Sequence, residues 1–212
     1  MSEPREIAER SERVADGLWH WRISNSSIGG GTSSSHAVAC EDGCVLVDPV
    51  RLADDALAAL PRPAAVALTA KCHQRAAWRY RRQFGAEVWL PEDAPAADEE
   101  PDRRYAEGDE LPGGLMAIRT PGPEWPHYSF LLELGPGVLF CSDLIDVADG
   151  PGPDGVRDLR FIPPEYHDDP DETRRSVEKL LGLPFAILCL DHGAPHVDDP
   201  KAALRRLLES TA

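Results

Sequence analysis

The sequence predicts an α+β fold in which two β-sheets pack face to face with helices outside. Three observations predict it. Short apolar runs rich in β-branched and aromatic residues fall into two groups along the chain. Each group carries its own pair of helical segments. Polar clusters recur where the apolar runs end, at Asp48, at 69–75, at 120–127, at Asp143 and at Asp191–His192. Loops at one edge of such a sandwich are the usual place for a site.

Taken in order, LWHWRI (18–23), HAVAC (36–40) and CVLVD (44–48) read as strands, with a hairpin turn at 41–44. GGGTSSS (29–35) between them reads as a flexible connector; it lacks the Gly-Lys-Ser/Thr ending of a phosphate loop. RLADDALAALP (51–61) is expected to be helical and to stop at Pro61. AAVALT (64–69) is a buried strand by its continuous apolar character. A helix is expected over 73–84, with Gly85 as its stop, and AEVWL (86–90) as a strand. PEDAPAADEEPD is an exposed acidic loop.

In the second half LMAIRT (115–120), HYSFLLEL (127–134) and GVLFCSD (137–143) read as strands, and 144–166 as loop. Asp169 and Pro170 form a helix start, as N-cap and first helical residue, for a helix to about Leu181. FAILCLDHG (185–193) is a further buried strand, followed by a helix from about Asp199 to Leu208. One domain over 1–212 accounts for these elements, with 1–12 expected as a loose tail.

A net charge of -15 disfavours nucleic acid and anionic membrane surfaces as partners. The blander reading of that charge is a solvated acidic surface. The charged start, MSEPREIAERSERVADG, is not a secretory signal, and no run approaches the ~20 apolar residues of a membrane span. Cys40, Cys44, Cys72, Cys141 and Cys189 are odd in number and mostly in or beside strand-like stretches. Reduced, buried cysteines of a cytoplasmic protein fit that pattern better than a disulfide framework. A small-molecule partner is expected, and a homodimer stays open.

The strand-end clusters, in their order from about 13 to 208, resemble the metallo-β-lactamase superfamily, nearest its glyoxalase II-like branch. The segments that carry the resemblance are "VLVDP" (45–49), "LTAKCHQR" with "FGAEVWLPEDA", "TPGPEWPH" (120–127), "LFCSDLI" and "LCLDHGAP". It implies a four-layer αββα sandwich. It also implies that the family's metal-ligand positions fall on Ala70, Cys72, Gln74, Arg75, Pro123, Asp143 and His192. Alanine and proline side chains offer no donor, arginine stays protonated and glutamine is a poor ligand. Neither half-site then reaches the three protein ligands of a catalytic zinc.

No metal cofactor is therefore expected; the alternative is one zinc or iron ion on Asp143, His192 and Cys72. Arg75, His73, Asp143 and His192 are the candidate catalytic set, and Arg75 is expected to pair with Asp143 in place of a metal, the blander reading being a side chain that points to solvent from the helix start. Cys72, Gln74, Glu124, Trp125 and His127 are expected to line the pocket. For Cys72 the competing reading is a buried thiol, and for His127 and Asp48 a hydrogen-bonded structural role. His20, His36, His167 and His196 belong to no constellation and read as surface or core histidines. Three functions remain: a metal-free, hydrolase-like protein binding a small molecule, a weakly mononuclear ester, thioester or lactone hydrolase, and a non-catalytic scaffold or regulatory protein.

Overall fold

The computed structural model describes residues 3–96, 99–151 and 157–210. The chain opens with β1 (Glu12–Ala15), β2 (Leu18–Asn25), β3 (Gly31–Cys40) and β4 (Gly43–Val47), an antiparallel meander. The β3–β4 turn needs glycine at position 43. Its φ is 136°, and a Cβ there would lie 2.1 Å from the Arg62 carbonyl oxygen. The short α1 (Asp54–Leu57) leads to β5 (Pro63–Ala67), and α2 (Ala77–Phe84) to β6 (Glu87–Pro91) and β7 (Arg103–Tyr105). β4 to β7 run parallel, which completes a seven-stranded sheet in sequence order.

The second sheet holds β8 (Glu110–Leu111), β9 (Leu115–Arg119), β10 (Tyr128–Leu132), β11 (Val138–Phe140) and β14 (Ile187–Cys189), in the order β14-β11-β10-β9-β8. Between β11 and β14 lie a separate ribbon, β12 (Ile145–Pro151) with β13 (Arg157–Phe161), and α3 (Pro170–Leu181). α4 (Pro200–Ser210) closes the described chain.

Three apolar layers separate four structural ones. Leu46, Val66 and Val88 pack outward on Leu57, Trp78 and Tyr80 of the first helix pair. Val38, Val45, Val47 and Ala67 face Leu115, Ala117, Phe130 and Phe140 between the sheets. Leu139, Leu188 and Ile118 pack on Val177, Leu180, Leu204 and Leu207 of α3 and α4. Alternate residues of one strand serve different layers, so a strand buried on both faces reads as an unbroken apolar run. This is the expected αββα sandwich. α3 also starts as expected, with Asp169 accepting from the Glu172 N–H at 3.0 Å.

Several local expectations are corrected. Residues 31–35 of the supposed connector are strand, in register with Trp21–Asn25, because Ser33, Ser34 and Ser35 are buried against polar partners. The helix expected at 51–61 shrinks to one turn, since Leu52 bridges to Ala8 and the chain then tightens into three-residue turns. The helix expected from residue 73 is a 3-10 turn over Lys71–Gln74, interrupted at Arg75 and resumed at Ala77. The expected loop at 144–166 contains the β12–β13 ribbon; residues 152–156 of it lie outside the described residues, as do 97 and 98 of the acidic loop. From Glu3 on, the supposed loose tail is docked: Ala8 exchanges backbone hydrogen bonds with Arg51 and Ala53 at 2.9 and 2.8 Å. No helix of the described residues is long and apolar enough to cross a membrane.

Candidate functional site at the strand ends

β4, β5, β11 and β14 all end at one edge of the sandwich, with Asp48, Thr69, Ser142–Asp143 and Asp191–His192 just beyond them. Backbone contacts stitch the ends of the two sheets together. Ser34 N–H donates to Asp191 O at 2.7 Å and Tyr128 N–H to Thr69 O at 2.9 Å. Asp48, Arg75 and Ser142 have φ of 47°, 30° and 53° and are three of the four non-glycine residues with positive φ among the described residues. Such conformations cost about 1–3 kcal/mol each and persist where the surroundings impose them.

Asp48 anchors the deep end. Its Oδ1 accepts the Thr69 N–H at 2.9 Å, and its Oδ2 the Thr69 hydroxyl at 2.6 Å. Thr69 Oγ1 also lies 3.0 Å from His73 Nδ1 and 2.7 Å from Ser142 Oγ. His73 Nδ1 is 3.2 Å from Asp48 Oδ2.

Beyond His73 the charges alternate around a closed ring. His73 Nε2 is 3.1 Å from Asp143 Oδ2, and Asp143 Oδ1 is 3.0 Å from His192 Nε2. His192 Nε2 lies 3.6 Å from Asp191 Oδ2, which is 3.5 Å from His73 Nε2. Arg75 grips Asp191 from outside the ring with two nitrogens, at 2.9 and 2.5 Å, and also donates to the Ser34 and Asp48 carbonyls at 3.2 Å. His192 Nδ1 donates to Thr32 O at 2.6 Å. Asp143 and His192 are the members that reach solvent, with side chains 16% and 22% exposed; those of His73, Arg75 and Asp191 are at most 3% exposed.

The pairing expected between Arg75 and Asp143 is thus replaced by Arg75–Asp191. Parallel pairing of β11 with β14 sets Phe140 beside Cys189, which carries Asp191 under the Arg75 guanidinium. The turn at Ser142–Leu144 meanwhile directs Asp143 to the two histidines.

Burial alone would strip the proton from His73, but the Asp143 and Asp191 carboxylates overcome it and hold the pKa well above the ordinary value. His192 is raised to about 9 against the same burial, by its contact with Asp143 and the field of Asp191. Burial pushes the two aspartates up, yet the result is a lowered pKa for both: His73 and His192 outweigh it for Asp143, and Arg75 with the histidines for Asp191. With both imidazoles protonated, Asp48, Asp143 and Asp191 stand against His73, His192 and Arg75, and the formal charges cancel.

The remaining expected residues take quieter places. The Cys72 thiol is pushed up to about 12, chiefly by burial, and lies 3.8 Å from Asp143 Oδ2; it is a protonated neighbour, not a thiolate nucleophile. Gln74, expected in the pocket, is buried and donates to the Lys71 and Pro95 carbonyls at 2.9 and 3.0 Å. Glu124 ties the 121–127 loop to the 70–75 loop, accepting the Cys72 N–H and pairing with Lys71, both at 3.3 Å. Gly122 lets that loop close on α3: a Cβ there would stand 2.2 Å from Thr173 Oγ1. Trp125 is exposed at the rim. His127 is fully buried; its Nδ1 donates to Thr120 O at 2.7 Å and its Nε2 accepts the Asp143 N–H at 3.3 Å, so it aims the Asp143 backbone.

Ser142 was not singled out from the sequence, Thr69 and Asp191 only as members of strand-end polar clusters, and Asp48 only as a loop stabiliser. An aspartate at three of the four strand ends of this edge, Asp48, Asp143 and Asp191, is the signal that was there. Cys72–His73–Asp143, Asp48–His73–Asp191 and Asp143–Asp191–His192 each bring three ligand-type atoms within 4.8 Å of one another.

No protein-family model and no curated protein matches the sequence. Solved structures do. DIM-1 metallo-beta-lactamase is similar with a TM-score of 0.68 at 14% identity, over 98% of this chain and 100% of that one. A metallo-beta-lactamase from Erythrobacter litoralis gives 0.65 at 15% identity, over 94% and 90%. An archaeal metallo-beta-lactamase superfamily protein from Sulfolobus tokodaii gives 0.62 at 15%, over 84% and 79%. The chain therefore has the metallo-β-lactamase fold.

Proposed function

We propose that this chain is a metal-free protein of the metallo-β-lactamase fold that binds a small molecule at the strand-end site, with the ion-pair ring standing where the fold's metals would be. The ring is the observation that carries the proposal. The order of the strand-end motifs supports a position nearest the glyoxalase II-like branch.

Donor chemistry argues against a metal pair. Ala70 and Pro123 have no donor, and Gln74 uses its amide nitrogen on backbone carbonyls. Arg75 occupies both oxygens of Asp191 and brings a fixed cation into the centre. A cation arriving there would have to deprotonate two imidazoles stabilised by carboxylates.

The same titration argues for binding rather than hydrolysis. A general base works best with a pKa near ambient pH. Here the carboxylates are pulled down, the histidines already carry protons, and the thiol stays protonated.

Metal analysis of protein purified without chelator tests this, followed by zinc and iron titration by calorimetry. Substoichiometric metal that dialysis removes is expected. One zinc or iron per chain that survives dialysis and is lost in Asp143→Asn would defeat the proposal. It would favour a mononuclear hydrolase built on Cys72, His73 and Asp143, whose ligand atoms already converge.

A further inference from the structure

We propose that the rim of this site selects planar, anionic small molecules, with Trp125 as the stacking platform and Arg119 as the anion contact. The inference rests on the small-molecule reading of the site and adds the ligand class.

Trp125 is 46% exposed and is the only tryptophan among the exposed large hydrophobics of the described residues. It sits one residue from Glu124, whose carboxylate touches the Cys72 backbone, and two from His127, which holds the Asp143 N–H. The loop that carries the indole is thus tied to the mouth of the ring through Glu124 and His127. Lys71 Nζ fixes the backbone further by donating to Trp125 O at 3.4 Å.

The Arg119 guanidinium lies 3.8 Å from the centroid of the Trp125 ring. A cation over an indole face is attracted by the ring quadrupole and leaves its edge donors free. Arg119 makes no ion pair among the described residues. Two neighbouring pairs are already matched, Lys71 with Glu124 at 3.3 Å and Lys179 with Glu107 at 2.6 Å. The ring behind the rim is charge-balanced. Arg119 is therefore a cation without an ion-pair partner among the described residues, set beside the Trp125 indole in a chain of net charge -15. With Arg119 over one face of the indole, a flat ligand stacks on the opposite face, and its carboxylate or sulfonate is drawn toward the guanidinium at the ring edge.

Calorimetric titration with naphthoate tests the proposal, with neutral naphthylmethanol and non-planar cyclohexanecarboxylate as controls. Naphthoate is expected to bind, and each control about tenfold more weakly. Trp125→Ala should weaken naphthoate about tenfold and Arg119→Gln about fivefold. Both side chains lie on the surface, and a thermal melt verifies that each variant folds. No binding of naphthoate at millimolar concentration overturns the inference, as does binding unchanged in both variants or equal for naphthylmethanol. Metal content of the same sample keeps the two readings apart. Metal-free protein that ignores naphthoate sinks only the ligand class, whereas stoichiometric zinc sinks the reading on which it rests.

Discussion

Two pairs of histidines in this molecule meet opposite fates. His73 and His192 sit among carboxylates and are held protonated. His20 and His36 face each other across β2 and β3, with ring centroids 5.2 Å apart, and each has an Nε2 with no hydrogen-bond partner. Burial brings His20 down to about 4 and His36 well below its ordinary value. Burial acts in the same direction on all four rings. What differs is whether an aspartate lies within about 4 Å, the range over which an opposite charge outweighs desolvation.

Asp191→Asn attacks that difference most directly. It leaves Arg75 and His73 buried beside a neutral amide, and removing one partner of a buried ion pair costs about 3–5 kcal/mol. Chemical denaturation should show a loss of that size; a change below about 1 kcal/mol would mean that the ring does not bind the sheets together. The ring and its flanking groups span both sheets, since Asp48, His73 and Arg75 follow strands of one, and Asp143, Asp191 and His192 follow strands of the other.

The pH dependence sharpens the contrast. His192 has a raised pKa, so its stabilisation is complete below the unfolded value near 6.5 and is lost as pH rises through about 9. That is about 3 kcal/mol, and His73 adds in the same direction. Asp143 and Asp191 have lowered values, so their contribution is present above about 4 and lost in acid. Melting temperature should therefore fall between pH 8 and 10. His192→Gln should remove part of that alkaline step; an unchanged step would place the titrating group elsewhere.

His20 and His36 act on the other limb. Their folded pKa values are lowered, so below about 6.5 the unfolded chain binds protons that the folded chain refuses, and stability falls toward pH 4. His36→Leu removes one of the unpartnered nitrogens. It should change stability by about 1 kcal/mol or less at pH 7 while flattening the acid limb. A loss of several kcal/mol at pH 7 would show that His36 has a hydrogen-bonding role.

Much of the fold was legible because period and punctuation are local properties. The apolar runs at 44–48, 64–69 and 137–143 and the Asp169–Pro170 helix start needed no partner to be recognised. Ser33, Ser34 and Ser35 misled because a serine in a strand is justified only by what it meets. Ser34 Oγ donates to Gly193 O at 2.8 Å and Ser35 Oγ to Asp48 O at 2.9 Å. The 73–84 helix was legible from Ala77 on, but its first turn is bent at Arg75 by a carboxylate 116 residues away in sequence.

For the site, the sequence by itself determined the cast: a loop after a buried strand bearing Cys72, His73, Gln74 and Arg75, with Asp143 and His192 at later strand ends. It also implied that Arg75, if buried, would need an anion beside it, because its charge cannot be titrated away. Only the tertiary structure decided which anion. Asp143 and Asp191 end adjacent parallel strands, and residue type cannot distinguish two aspartates. Their register and a single left-handed residue, Ser142, turn one toward the histidines and leave the other under the guanidinium.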